Sequence, residues 1–196
     1  MRPPERYWGR RLPSTQPTGW SKIARRIRVP LGFVFAVVYF WLAKPTWLFI
    51  GIGAAIAAVG IAIRAAAAGH VKKNRELTTT GPYAYTRNPL YLGSTIIALG
   101  FGIASRNWWV AVGLVVLFLA IYLPVIRSEE EYLRGEFAGF DEYCQQVPRL
   151  IPRLRAAGGG KGSFSKELYL RHREYNAVIG AVLMVAALAA KLVYSR

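Results

Sequence analysis

The chain is poor in the residues on which disulfide scaffolds and metal sites depend. Its 196 residues include one cysteine, Cys144, and two histidines, His70 and His172. A single cysteine excludes a disulfide framework, and no His or Cys spacing matches a metal site. With no histidine near it in sequence, Cys144 reads as a spectator thiol rather than a nucleophile. Charge is scarce as well, at 18% of positions, against about 25% in an average soluble domain. Acid is scarcest: 10 Asp+Glu stand against 26 Lys+Arg, for a formal net charge of +16. No internal repeat is visible, which weighs against many transporter architectures. The first 22 residues are polar and rich in Pro and Arg, so no signal peptide is expected there.

What is abundant is apolar surface. Hydrophobic residues make up 54% of the chain and the mean hydropathy is +0.25, which excludes disorder. A pI near 10.5 would by itself suggest a nucleic-acid binder. Here the basic residues fall between long apolar runs, the pattern of a membrane protein with basic loops. Five apolar blocks are expected to cross: Val29–Ala43, Thr46–Gly69, Pro89–Ser105, Trp108–Ile126 and Asn176–Tyr194. The first falls short of the ~20 residues a crossing needs and is expected to borrow Ile23–Arg28, whose arginines can snorkel to the headgroups.

Basic residues set an expected direction. Residues 1–28 carry eight, the 70–88 loop carries Lys72, Lys73, Arg75 and Arg87, and 127–175 carries nine. The other two connections hold only Lys44 and Arg106. The bias predicts a cytoplasmic N-terminus and an outside C-terminus, with Trp41, Trp47, Trp108 and Trp109 at the opposite interface. The expected organisation is all-α and polytopic. It comprises a basic arm at 1–28, a hairpin at 29–69, a core at 70–155, a linker and interfacial segment at 156–175, and a last helix at 176–196. The arm is expected to bind anionic lipid headgroups, each surface charge contributing about 1 kcal/mol. Small residues recur on one face, Gly53, Ala57 and Gly60 in the second block and Gly93 and Gly100 in the third. They suit close helix packing or, alternatively, a ligand groove.

Two polar segments stand out. In the first, Gly81-Pro82 is a turn signal, and Asn88-Pro89 is a helix start, Asn as cap and Pro at the first position. Free amides there, with Arg87 beside them, suit a carboxylate or phosphate. Tyr83, Tyr85 and Tyr91 add flat faces, and Gly93 offers bare backbone one turn on. The alternative is simply a well-capped span with interfacial tyrosines. In the second, six of the ten acidic residues lie between Glu129 and Glu142, just after Pro124 and the fourth block. Carboxylates at that depth are functional candidates; a desolvated one could take a proton. The alternative is a solvated helix with Glu130–Arg134 as an i,i+4 pair. That reading is preferred for Glu131, Glu136 and Glu142 and left open for Glu129 and Glu130.

The string GPYAYTRNPLYLGS, followed some 35 residues later by EEEYL and then by Phe137, Tyr143 and VPRLIP, resembles the isoprenylcysteine carboxyl methyltransferase and phospholipid methyltransferase family. The resemblance covers roughly residues 70–153. It implies a small integral-membrane enzyme that uses S-adenosylmethionine, held at the cytosolic ends of the last conserved helices. The family's Arg-His/Asn-Pro-x-Tyr-x-Gly motif falls on Arg87, Asn88, Pro89, Tyr91 and Gly93, its Gly-Pro-Tyr on Gly81, Pro82 and Tyr83, and its Glu pair on Glu129 and Glu130.

Two departures are visible. Asn88 stands where the family often has His, and an amide cannot titrate near neutrality. Gln146 stands where eukaryotic members tend to have Arg before Val-Pro, with Arg149 placed to compensate. On this resemblance the helix start and Arg87 are expected to bind anionic groups. Glu129 or Glu130 would take the α-amine or ribose, and the tyrosines would flank the sulfonium and adenine. Arg87 and Glu130 are the expected catalytic residues, Glu130 as base for a lipid amine. Tyr143 and Arg149 are the expected acceptor contacts, Arg149 or Arg87 orienting a carboxylate. The acceptor is expected to be lipophilic and to enter from the bilayer, with no metal or nucleic acid involved. A small transporter or lipid-binding scaffold is the alternative from another class, and a sterol-type NADPH reductase the alternative enzyme.

Overall fold

A computed structural model describes residues 19–71, 76–157 and 162–194. The basic stretch 1–18, the Lys72–Arg75 cluster and the Gly158–Gly160 linker lie outside the described residues. Among those described there are helices and no strands. Three helical segments are long and apolar enough to cross a membrane: Trp47–His70, Trp108–Glu136 and Tyr175–Tyr194. Pro30–Leu42 and Pro89–Ser105 are shorter apolar helices. The protein is an integral membrane protein.

Helix α1 (Gly19–Leu42) runs without a break through Pro30, so it includes the Ile23–Arg28 stretch and begins inside the segment assigned to the basic arm. It is followed by α2 (Trp47–His70) and, after a 3-10 turn at Gly81–Ala84, by α3 (Pro89–Ser105). α2 and α3 form an antiparallel pair held at backbone distance. A Cβ placed on Gly60 would lie 2.6 Å from the Gly93 carbonyl oxygen, and one on Gly53 would collide with the carbonyl of Gly100. The small-residue stripe is therefore a packing seam. Without a side chain at either position the two backbones touch, and dispersion between them replaces lipid contact.

The fourth apolar block is one long helix with a defect. α4 (Trp108–Leu117) passes through a π turn at Phe118–Tyr122 into α5 (Leu123–Glu136). Pro124 supplies the cause: its ring has no N–H for the carbonyl four residues back and would crowd it. The wider turn relieves both, and the Leu123 amide bonds Phe118 instead. Beyond α5 come α6 (Phe140–Gln146), α7 (Lys166–Arg171) and α8 (Tyr175–Tyr194).

The end of the bundle away from the polar motifs is knitted by helix caps. Asn107 accepts from the Trp109 amide at 3.0 Å and donates to the Leu42 carbonyl at 2.9 Å. Lys191 donates to the carbonyls of Trp41 and Ala43 at 3.0 and 2.7 Å, a cation at the end of α1 where orphaned carbonyls concentrate. Tyr39, Ala43, Ile50, Ala104, Val110 and Leu188 are buried there, while Trp41, Trp47, Trp108 and Trp109 are exposed around the rim.

Candidate active site

At the other end the helix termini enclose a polar cavity of about 550 Å³. Its floor is the start of α3, and its walls come from α5, Tyr143 on α6, the end of α2 and Glu174 just before α8.

Glu130 organises one side. It is 4% exposed, and its carboxylate receives four nitrogens. Asn88 Nδ2 donates at 3.0 Å and Arg149 Nε at 2.8 Å; Arg149 adds a second nitrogen at 2.8 Å. Arg87 Nε lies at 3.4 Å, in ion-pair range but not aligned for a hydrogen bond, so this buried nitrogen has no hydrogen-bond partner among the described residues. The helical pair Glu130–Arg134 does not form. Arg134 turns instead to Asp141 at 2.7 Å, because Glu130 points inward to three other donors.

Asn88 occupies the cap position of α3 with Pro89 at the first turn, but its side chain makes no capping bond. The amide is used across the site, donating to Glu130 and, at 2.9 Å, to the Arg149 carbonyl. Thr86, 2% exposed, completes the junction: its hydroxyl bonds the carbonyls of Arg149 and Leu150 at 3.2 and 3.1 Å. Sequence reasoning missed Thr86, since a lone threonine before a helix start carries no signal of burial.

The adjacent carboxylate behaves differently. Glu129 is exposed, lines the cavity and has no ion-pair partner among the described residues. A second ion pair closes the far wall. Arg64 meets Glu174 through Nε at 2.9 Å and Nη2 at 2.8 Å, and also donates to Ser94 and to the Leu90 carbonyl. Glu174 reaches it because α7 docks on the end of α2, with the Ser165 amide on Gly69 at 2.8 Å and His172 on Ala68 at 3.1 Å. Arg173 then turns the chain in a left-handed conformation, φ 53°. Nothing in the sequence around Arg64 signals this partner, 110 residues away.

Of the sequence-nominated residues, Tyr83, Arg87, Asn88, Pro89, Tyr91, Glu129, Glu130 and Tyr143 line the cavity. Gly81, Pro82, Gly93 and Arg149 do not. Gly81 adopts φ 60° against the His70 ring, a turn that only glycine fits. The free face of Gly93 is taken by Gly60 and Arg64 of α2, so it is a packing contact rather than open backbone. Arg149 acts through Glu130. Tyr143 donates its hydroxyl to the Tyr83 carbonyl at 2.7 Å. Burial pushes both phenols up from their ordinary value; Tyr143 and Glu129 push Tyr83 further, while Arg87 partly offsets the shift of Tyr143. Among the described residues no three His, Cys, Asp or Glu side chains gather as metal ligands.

A second, apolar cleft of about 640 Å³ lies between α1, α3 and α4. Phe35, Leu99, Ile103, Leu114 and Phe118 line it. Ser94 and Tyr122 line both spaces. Tyr122 sits in the π turn with its ring edge-on to Tyr91 at 5.8 Å, so the helix defect places one of the two side chains that the spaces share.

A nickel-cobalt-cadmium resistance protein (NccN) of Alcaligenes xylosoxydans xylosoxydans is 39% identical over 83 residues, 42% of this chain and 39% of that protein. A cobalt-zinc-cadmium resistance protein (CzcN) of Cupriavidus metallidurans is 37% identical over 83 residues, 42% of this chain and 38% of that protein. A protein-S-isoprenylcysteine O-methyltransferase of Schizosaccharomyces pombe is 33% identical over 86 residues, 42% of this chain and 36% of that protein. The matched segment thus spans under two-fifths of each relative. No solved structure matches. The family model for phospholipid methyltransferase matches residues 31–139, taking in the start of α3, the α2–α3 seam and both Glu129 and Glu130. The chain belongs to the phospholipid methyltransferase family.

Proposed function

We propose that this protein moves a methyl group from S-adenosylmethionine to a lipophilic acceptor drawn from the bilayer. The observation that carries the reading is the adjacency of the polar cavity and the apolar cleft, which share Ser94 and Tyr122 as lining, in a methyltransferase-family chain. One space suits a charged, nucleotide-sized donor and the other an aliphatic acceptor. Methyl transfer needs nucleophile, carbon and leaving group in line, so alignment at that junction would supply most of the catalysis.

The residues present fit the donor. The Arg87 guanidinium, which lines the cavity, suits its carboxylate. Glu129, which has no ion-pair partner among the described residues, suits its ammonium or ribose, and the faces of Tyr83 and Tyr91 suit the adenine and the cationic sulfur. When bound, S-adenosylmethionine would supply an electrophilic methyl on that sulfur. Glu130 is already surrounded by four nitrogens, which favours a positioning role for it over that of a base. Tyr122 and Ser94 are then the hydroxyls nearest an acceptor head. The acceptor class extends from a phospholipid amine to a prenylcysteine-like carboxylate or a thiol.

The basic-residue bias supports a multi-pass topology in which the five apolar helices cross and the site faces the cytoplasm. The 1–28 segment would bind anionic headgroups of that leaflet.

Titration of the purified protein with S-adenosylhomocysteine, paired with tritiated donor and a total lipid extract, tests the reading. Binding weakened at least about tenfold by Glu129→Gln, corresponding to about 1.4 kcal/mol, and label recovered in the organic phase are expected. Absence of binding by the wild-type chain would overturn it.

A further inference from the structure

The loop that carries Arg149 has a second surface. From Pro148 to Ala157 it is bonded to the turn at 84–88: the Arg87 amide to the Pro148 carbonyl at 2.9 Å, the Arg153 amide to the Tyr85 carbonyl at 3.0 Å, and the Ala157 amide to the Ala84 carbonyl at 2.9 Å. Thr86 and Asn88 add side-chain bonds to the carbonyls of 149 and 150. A loop held this way has little freedom to fold its own apolar side chains inward. Yet Ile151 is 80% exposed and Leu154 100%, with exposed Arg153 and Arg155 beside them.

The height of this loop follows from the helix it touches. Glu130 lies twenty-two residues beyond Trp108 in one continuous helix. At about 1.5 Å per residue that is about 33 Å, just past a hydrocarbon core of about 30 Å. Arg149 is 2.8 Å from Glu130, so its loop lies at headgroup depth on the side of the site. Two aliphatic tips flanked by arginines match that layer chemically, the tips to the upper acyl chains and the guanidinium groups to lipid phosphates.

We infer that the 148–155 loop is a lipid-contacting element. Ile151 and Leu154 insert beneath the headgroups of the leaflet on the site's side, and Arg153 and Arg155 bind its anionic phosphates. The bilayer surface thereby braces the same loop whose Arg149 holds Glu130.

Nitroxide labels at Ile151→Cys and Leu154→Cys, in a Cys144→Ser background, test this in phosphatidylcholine vesicles with and without phosphatidylglycerol. Relative to a control label at Glu142→Cys on the exposed face of α6, collision with oxygen should exceed collision with a soluble nickel chelate several-fold. The excess should grow with phosphatidylglycerol and lose that growth in the Arg153→Gln/Arg155→Gln pair. Nickel access equal to the control would overturn the inference. So would dipolar broadening between labels, which would mean that a second copy covers the tips. If the serine background fails to fold, Cys144→Ala provides the same single-label series.

Discussion

Glu129 and Glu130 are neighbours in sequence with opposite environments, and this separates their expected mutant behaviour. Glu130→Ala removes the common partner of Arg87, Asn88 and Arg149. Breaking a buried pair from one side costs about 3–5 kcal/mol; because the Arg149 side chain is 43% exposed, the lower end of that range is expected. Thermal unfolding in detergent checks it. Glu129→Gln, at an exposed position, should leave the melting temperature unchanged while weakening donor binding. If Glu129→Gln melts like Glu130→Ala, the division of roles fails. The sequence nominated both carboxylates but could not rank them, because the ranking depends on which one faces arginines 43 and 19 residues away. Asn88 shows the same limit. Its position as a helix start was legible from Asn-Pro, whereas the use of its side chain on Glu130 depended on a helix arriving from elsewhere.

At the scale of elements, the α2–α3 seam and the π turn make separate predictions. Gly60→Leu forces a side chain against the α3 backbone and should destabilise by about 1–3 kcal/mol or more. Gly51→Ala, where nothing lies within 4 Å of an added Cβ, should be neutral or stabilising by up to about 1 kcal/mol. Denaturation by graded detergent distinguishes the two; equal effects would mean the seam is not close-packed. Pro124→Ala removes the cause of the π turn. A regular helix would rotate the residues before it by most of one position and carry Tyr122 off the junction of cavity and cleft. Methyl transfer should fall by at least about tenfold with little loss of stability, the mark of alignment rather than folding. Apolar run length showed α2 and α3 at nearly their observed bounds but ended the fourth block at Ile126, ten residues before the helix ends at Glu136. The defect was not legible, since a proline after a long apolar run reads equally as a kink or an end.

The whole molecule closes the site with residues that the family match leaves out. Arg149 and Glu174 lie beyond residue 139, yet one holds Glu130 and the other holds Arg64. Glu174→Gln should loosen the wall formed by the last two helices and speed proteolysis within 162–174, with α2 and α3 unaffected. High pH provides a global test. Tyr83 and Tyr143 are held above their ordinary value of 10.0 by burial, so the unfolded chain loses these protons first. Their contribution is full below pH 10 and is lost as pH rises beyond it toward the folded-state values. Melting temperature should therefore drop above about pH 10, with part of the tyrosinate absorbance appearing only on unfolding. Tyr143→Phe should flatten that dependence.

Hydropathy, turn residues and the spacing of small side chains are local properties, and by themselves they determined an all-helical membrane protein, the bounds of α2, α3 and α8, the glycine seam and the two polar motifs. Contacts between ends distant in the chain were decided only by the tertiary structure: which carboxylate is satisfied, where Arg64 finds its counter-ion, and where the polar and apolar spaces join. A charge buried at a helix end takes whichever partner the packing brings within about 3 Å, and sequence spacing carries no record of that meeting.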